Sequence, residues 1–342
     1  MLHRMITATA TVAVLAASSI AADLKVGDKA PAIEVEEWIQ GETSVGEGKP
    51  YVVEFWATWC GPCRTSIPHI NELYKKYKSK GLSVIGVTDE KKAIGKVKSF
   101  VRSRGDSMSY SIAVDSGGTN QNFMKAAGQG GIPTAFIVAN DNTIAFIGHP
   151  MDPKFEDILG KVVAGRYSPK LMKKAAPKLA AADRAAKVRN FGDAYGHMDE
   201  VIELDNGVFA QVAIDKYRMM AGEQKDAVAA ATWAGEMVDM YQGDPGALAM
   251  IAEVTAADPD EQLRNLEVAR MAADRMLAKA GPRDPEALAI SALVAFHAGD
   301  SDRAVRDQMT AWMTASPDMK PDYKRDLDIY RGQASRPNAN RR

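Results

Sequence analysis

The chain has 342 residues, 46% of them hydrophobic and 25% charged, with a formal net charge of −1. That length suits about two domains, and that apolar fraction is ample for packed cores. The near-neutral balance argues against a nucleic-acid partner, because neutralising phosphates takes a clear excess of Lys and Arg.

Residues 1–22 read as a signal peptide: His3 and Arg4 make a weak basic start, Ile6 to Ile20 is apolar, and Ser19-Ile20-Ala21 is a small-x-small cleavage signal. The apolar run is short for a membrane span and diluted by Thr and Ser, which leaves an uncleaved anchor as the alternative. The mature chain is expected to be exported to a bacterial periplasm.

Residues 23–165 alternate strands with helices. A leader carries Ile33-Glu34-Val35-Glu36, an apolar strand covers 51–57, and a helix from Pro62 to Lys80 stops at Gly81. A buried central strand is expected over 82–88, a helix over 89–104, a short strand over 110–114 and a short helix over 120–127. Strands over 134–138 and 143–147 form a hairpin across Asn140-Asp141-Asn142, and a helix over 153–163 closes the unit. This order predicts an α/β fold, a mixed sheet with helices on both faces.

Ser168-Pro169 and Pro177 punctuate a predicted linker over 166–177. Beyond it the chain is Ala-, Met- and Asp-rich with helical periodicity, predicting an all-α helical-repeat domain over 178–332 and a disordered tail over 333–342. Asp244-Pro245-Gly246-Ala247-Leu248-Ala249 recurs forty residues on as Asp284-Pro285-Glu286-Ala287-Leu288-Ala289. Ala221-Gly222 with Ala227 likewise recurs as Ala298-Gly299 with Ala304, the Gly expected in a tight turn and the Ala where helices approach. Three tetratricopeptide-like hairpins follow, over 206–243, 245–281 and 285–316, capped by helices over 178–203 and 320–331.

The chemistry centres on Cys60 and Cys63, the only two cysteines, spaced Cys-x-x-Cys between the first long strand and the first long helix. A sulfur at a helix start meets unpaired N–H groups that favour a thiolate, so Cys60 is the expected nucleophile. Cys63, one turn on, can attack a mixed disulfide and resolve it. A zinc site would need a second ligand pair, which five scattered His do not supply. A purely structural disulfide would close too small a loop to stabilise much. Thr58 lies two positions before Cys60, the wrong spacing for a peroxidatic Thr-x-x-Cys. No cofactor is expected beyond the redox-active pair.

Phe55-Trp56-Ala57-Thr58-Trp59-Cys60-Gly61-Pro62-Cys63-Arg64-Thr65-Ser66-Ile67-Pro68, with Gly131-Ile132-Pro133-Thr134 downstream, resembles the thioredoxin superfamily and its exported TlpA/ResA-like branch. The resemblance covers residues 26–163 and implies a thioredoxin fold there. It implies that Pro133 is a cis-proline facing the dithiol and that the Ile132 backbone pairs with an extended substrate. Trp59, Gly61 and Pro62 would complete the surface that meets the substrate, with Trp56 in the core. Glu54, six residues before Cys60, matches the family's buried acid, a proton acceptor for the resolving cysteine; its alternative is an edge residue facing water. The family's lysine partner for that acid is replaced here by Gly86.

The expected function is an exported thiol:disulfide oxidoreductase, a reductant of protein disulfides recycled by a membrane electron donor of the DsbD or CcdA kind. Two alternatives stay open: an oxidase or isomerase, and an adaptor whose helical repeats bind a protein partner beside an accessory redox domain.

Overall fold

The computed structural model describes residues 23–46, 48–317 and 319–334. The expected signal peptide and the last eight residues of the expected tail lie outside them. Among the described residues, no helix is long and apolar enough to cross a membrane.

The first half is an α/β unit whose order is β1 (Val35–Gln40), β2 (Tyr51–Phe55), α1 (Gly61–Tyr77), β3 (Ser83–Thr88), α2 (Ile94–Arg104), β4 (Ser111–Asp115), β5 (Thr134–Val138), β6 (Ile144–Gly148) and α3 (Pro153–Val163). The six strands lie in the order β1-β4-β3-β2-β5-β6. β2, β3 and β4 run parallel, joined by α1 and α2 as crossovers, while β1, β5 and β6 pair antiparallel with their neighbours.

β2 and β3 are central and buried on both faces. Alternation along β2 sends Val52 and Trp56 into one core with Ile67 and Ile70 of α1, Val101 of α2 and Phe155 of α3. Tyr51, Val53 and Phe55 enter the opposite core with Phe123, Phe136 and Ile144. That second face is covered by the leader, including Leu24 and Ala30, and by a π-helical turn over Asn120–Lys125. The leader adds one strand to the sheet edge, β1, which begins at Val35 and pairs with β4.

The remaining described chain is helical: α4 (Pro169–Lys187), α5 (Phe191–Ile202), α6 (Ala210–Arg218), α7 (Ala227–Met240), α8 (Pro245–Ala257), α9 (Leu266–Ala280), α10 (Pro285–His297), α11 (Ser301–Thr314) and α12 (Lys320–Ala334). α6 with α7, α8 with α9 and α10 with α11 form the three expected hairpins, and one core runs from α4 to α10.

The linker expected over 166–177 is a correction. Ser168 accepts from the Leu171 N–H as an N-cap, and Pro169, which has no N–H to lose there, starts α4. Pro177 lies inside that helix, where burial of Ala175 and Ala182 against the neighbouring helices overrides its propensity. The single helix expected over 178–203 is two, broken where Arg189 takes a left-handed φ of 59°. The Ala-Gly repeat is half structural. Gly299 turns the chain at φ 78° and Ala304 is buried, whereas Gly222 lies within a π-helical segment and Lys225, at φ 61°, makes the turn.

Candidate active site

The strand-to-helix junction brings the two sulfurs to a helix start. Cys60 is the N-cap of α1, its Sγ accepting the Cys63 N–H at 3.1 Å, and Pro62 sits in the first turn, where its missing N–H is no loss. The sulfurs are joined, 2.01 Å apart. In the reduced protein the same N–H and the positive end of α1 favour a thiolate at Cys60. Both side chains are nearly closed off, Cys60 at 3% exposure and Cys63 at 0%, so Cys60 is the more exposed by a narrow margin. Gly61 and Pro62 are exposed beside them.

The loop before the sulfurs is held from two sides. Glu90, just past β3, takes the Thr58 N–H at 2.6 Å and the Thr58 hydroxyl at 2.7 Å, and Arg64 donates to the Thr58 carbonyl at 3.0 Å. These contacts leave Trp59 projecting at 65% exposure while Trp56 turns inward against Phe100.

The Ile132–Pro133 peptide is cis, and the Ile132 carbonyl oxygen lies 3.7 Å from Cys60 Sγ. Thr134 closes the turn by donating to the Gly131 carbonyl at 2.7 Å. An open groove of about 620 Å³ runs alongside, lined by Trp59, Phe55, Val87, Met124, Gly131 and Ile132. A strand-like segment laid there would meet a backbone carbonyl at the reactive sulfur and apolar side chains beside it.

Glu54 lies on the β2 face toward α1 and is fully buried. Its strand neighbours are Gly86 on β3 and Ala135 on β5, two small residues that leave room for the carboxyl. The Tyr110 hydroxyl donates to Oε2 at 2.7 Å, and Ser66, one turn beyond Cys63, lies 3.3 Å from Oε1. Burial pushes the carboxyl up to about 7 against the pull of those two donors. The alternative of an edge residue facing water is excluded.

A family described as Redoxin matches residues 25–162. The thiol-disulfide oxidoreductase ResA of Bacillus thuringiensis strain Al Hakam is 33% identical over 144 residues, which span 41% of this chain and 79% of that protein. The chain belongs to the TlpA/ResA-like branch of the thioredoxin superfamily. It is a thiol-disulfide oxidoreductase. The protein FixW of Rhizobium leguminosarum is 29% identical over 157 residues, covering 43% of this chain and 70% of its own. A thioredoxin-family thiol:disulfide interchange protein from Chlorobium tepidum TLS, known as a crystal structure, is 25% identical and covers 34% of this chain and 81% of its own, at a TM-score of 0.30.

In this TlpA/ResA-like chain the structure brings together Cys60, Cys63, Gly61, Pro62, Trp59, Ile132 and Pro133 around one groove end, with Glu54 behind the dithiol on the core side. Sequence reasoning missed Tyr110, Ser66 and Glu90. Tyr110 is 56 residues from Glu54 and Glu90 is 32 from Thr58, separations that no local pattern encodes. The departure at Gly86 was the available signal, since a buried acid that loses a lysine must find another donor.

Proposed function

We propose that the chain is an exported reductant of protein disulfides. The direction rests on Gly61-Pro62 between the cysteines: thioredoxin shares that dipeptide and has a potential of about −270 mV, against about −120 mV for the oxidant DsbA. Export is supported by the signal-peptide pattern of residues 1–22.

In the reduced protein Cys60 attacks one sulfur of a substrate disulfide. The other substrate sulfur leaves as a thiolate, and the first is held in a mixed disulfide along Ile132-Pro133. Cys63 then gives its proton to Glu54, attacks Cys60 Sγ and expels the substrate sulfur held in the mixed disulfide, which is protonated by water. Two electrons have passed to the substrate, and Cys60 and Cys63 are left as a disulfide. Recycling requires two electrons from outside, and in a periplasm a membrane donor of the DsbD or CcdA kind would supply them.

A redox titration of the full chain in dithiothreitol or glutathione buffers, read by thiol alkylation, tests the direction. A midpoint within about 40 mV of −270 mV supports a reductant. A midpoint near −120 mV would make the protein an oxidase or isomerase.

A second reading gives the helical half the specificity, as a tetratricopeptide-like platform for a protein partner. An apolar cleft of about 780 Å³ between the halves, lined by Met172, Leu179, Phe209, Met250 and Met276, favours it. Partner retention by a full-length Cys60→Ser, Cys63→Ser variant would support that adaptor reading.

A further inference from the structure

We propose that Tyr110 is a positioning residue for the dithiol reaction, its hydroxyl holding the Glu54 carboxyl against the first turn of α1 where Cys63 must lose its proton. The inference rests on the reading of Glu54 as proton acceptor and goes beyond it by assigning what orients that acid here.

The geometry carries it. Glu54 is anchored at both oxygens from opposite sides: Tyr110, entering from the start of β4, donates to Oε2 at 2.7 Å, and Ser66 of α1 lies 3.3 Å from Oε1. The Ser66 hydroxyl is also 3.2 Å from the Cys63 carbonyl, so the acid is tied to the turn that carries the resolving sulfur. Tyr110 is itself fully buried, its ring edge-on to Tyr74 of α1 with centroids 6.4 Å apart.

Gly86 explains why a phenol does this work. A Cβ at Gly86 would come within 2.9 Å of Ile112 Cδ1, 3.0 Å of Trp56 Nε1 and 3.1 Å of Tyr110 Cε2. The strand position opposite Glu54 is thus filled by Ile112, Trp56 and Tyr110, and a long cationic side chain has no room there. The polar groups on the carboxyl are Tyr110, just before β4, and Ser66 of α1; Gly86 of β3 and Ala135 of β5 offer no polar side chain. Arg104 at the end of α2 is a cation felt by Tyr110. A neutral donor orients a carboxylate without holding it permanently ionised, which suits a group that must take up and release a proton near neutral pH. The burial-raised titration of Glu54, at about 7, agrees.

The test uses the reduced full chain and the chromogenic disulfide 5,5′-dithiobis(2-nitrobenzoate). Attack by Cys60 releases one nitrothiobenzoate and resolution by Cys63 releases the second, so the slower phase reports the step assigned to Glu54. Glu54→Gln should slow that phase at least tenfold and remove its lower pH inflection. Tyr110→Phe keeps the ring and should move the inflection up by about one pH unit. In the Glu54→Gln background Tyr110→Phe should add nothing. Ser66→Ala, which removes the second anchor, should move the inflection the same way and gives an independent reading if Tyr110→Phe folds poorly.

An inflection unmoved by both donor variants, or a slow phase slowed further by Tyr110→Phe in the Glu54→Gln background, overturns the Tyr110 assignment while leaving Glu54 as the base. A slow phase unaffected by Glu54→Gln overturns the base itself, and the Tyr110 assignment with it.

Discussion

Glu54 is a carboxyl placed where a central strand offers no water, and its titration has a consequence for the whole fold. Its ordinary value of 4.5 belongs to the unfolded chain, and burial lifts the folded value to about 7. Between those two values the folded protein holds a proton that the unfolded chain has lost. The contribution to stability is full below the lower value and falls as pH rises toward the upper one, by about 3 kcal/mol in total. Chemical denaturation of the oxidised protein from pH 4.5 to 8 should show that decline, and Glu54→Gln should flatten it. Equal slopes in the two proteins would mean that the carboxyl titrates alike in both states. At this scale the cysteines and Glu54 were legible because each lies within a few residues of the others. Tyr110 was not, because its role depends on β4 lying beside β3 and on the space that Gly86 leaves.

Elements were legible where a local period or a cap marks them. The apolar runs of β2, β3 and β5 and the amphipathic pattern of α3 lie where the residues alone put them, because burial on two faces or one stripe leaves its period in a short window. Pro169 and Pro177 misled, because a proline signals a helix start or a break according to what packs around it. The structure supplies a physical reason for the repeated Asp-Pro. Asp244 and Asp284 are N-caps of α8 and α10, accepting the Ala247 and Ala287 N–H at 3.0 and 2.8 Å, each followed by Pro. Asp284→Ala should cost about 1 kcal/mol in chemical denaturation followed by far-ultraviolet circular dichroism. Asp244 also binds Arg166 at 2.9 Å, so Asp244→Ala should cost roughly twice as much. Equal losses would show that the Arg166 contact adds nothing.

The halves of the molecule meet at the end of α1 remote from the dithiol. The Arg166 side chain, 11% exposed, donates to the Gly207 carbonyl at 2.8 Å and to Asp244. Lys80 pairs with Glu286 at 3.0 Å, but both are half exposed, and such pairs contribute about 1 kcal/mol at most. Arg166 therefore dominates the polar contacts of the junction. The 17 residues of α1 put about 25 Å between this junction and Cys60. Arg166→Ala should speed limited proteolysis around residues 163–168 and leave the dithiol potential where it was; a shifted potential would instead reveal coupling between the halves. The sequence by itself determined the dithiol, the strand-to-helix junction that presents it, the family and the presence of helical hairpins. All of these are written in residues close together, where spacing alone sets geometry. The tertiary structure decided which donor replaces a lysine at Glu54, that Glu90 clamps the Thr58 loop, that residues 169–187 form a helix, and how the halves enclose a cleft. These depend on burial and on contacts between residues far apart in the chain, and only packing brings such residues together.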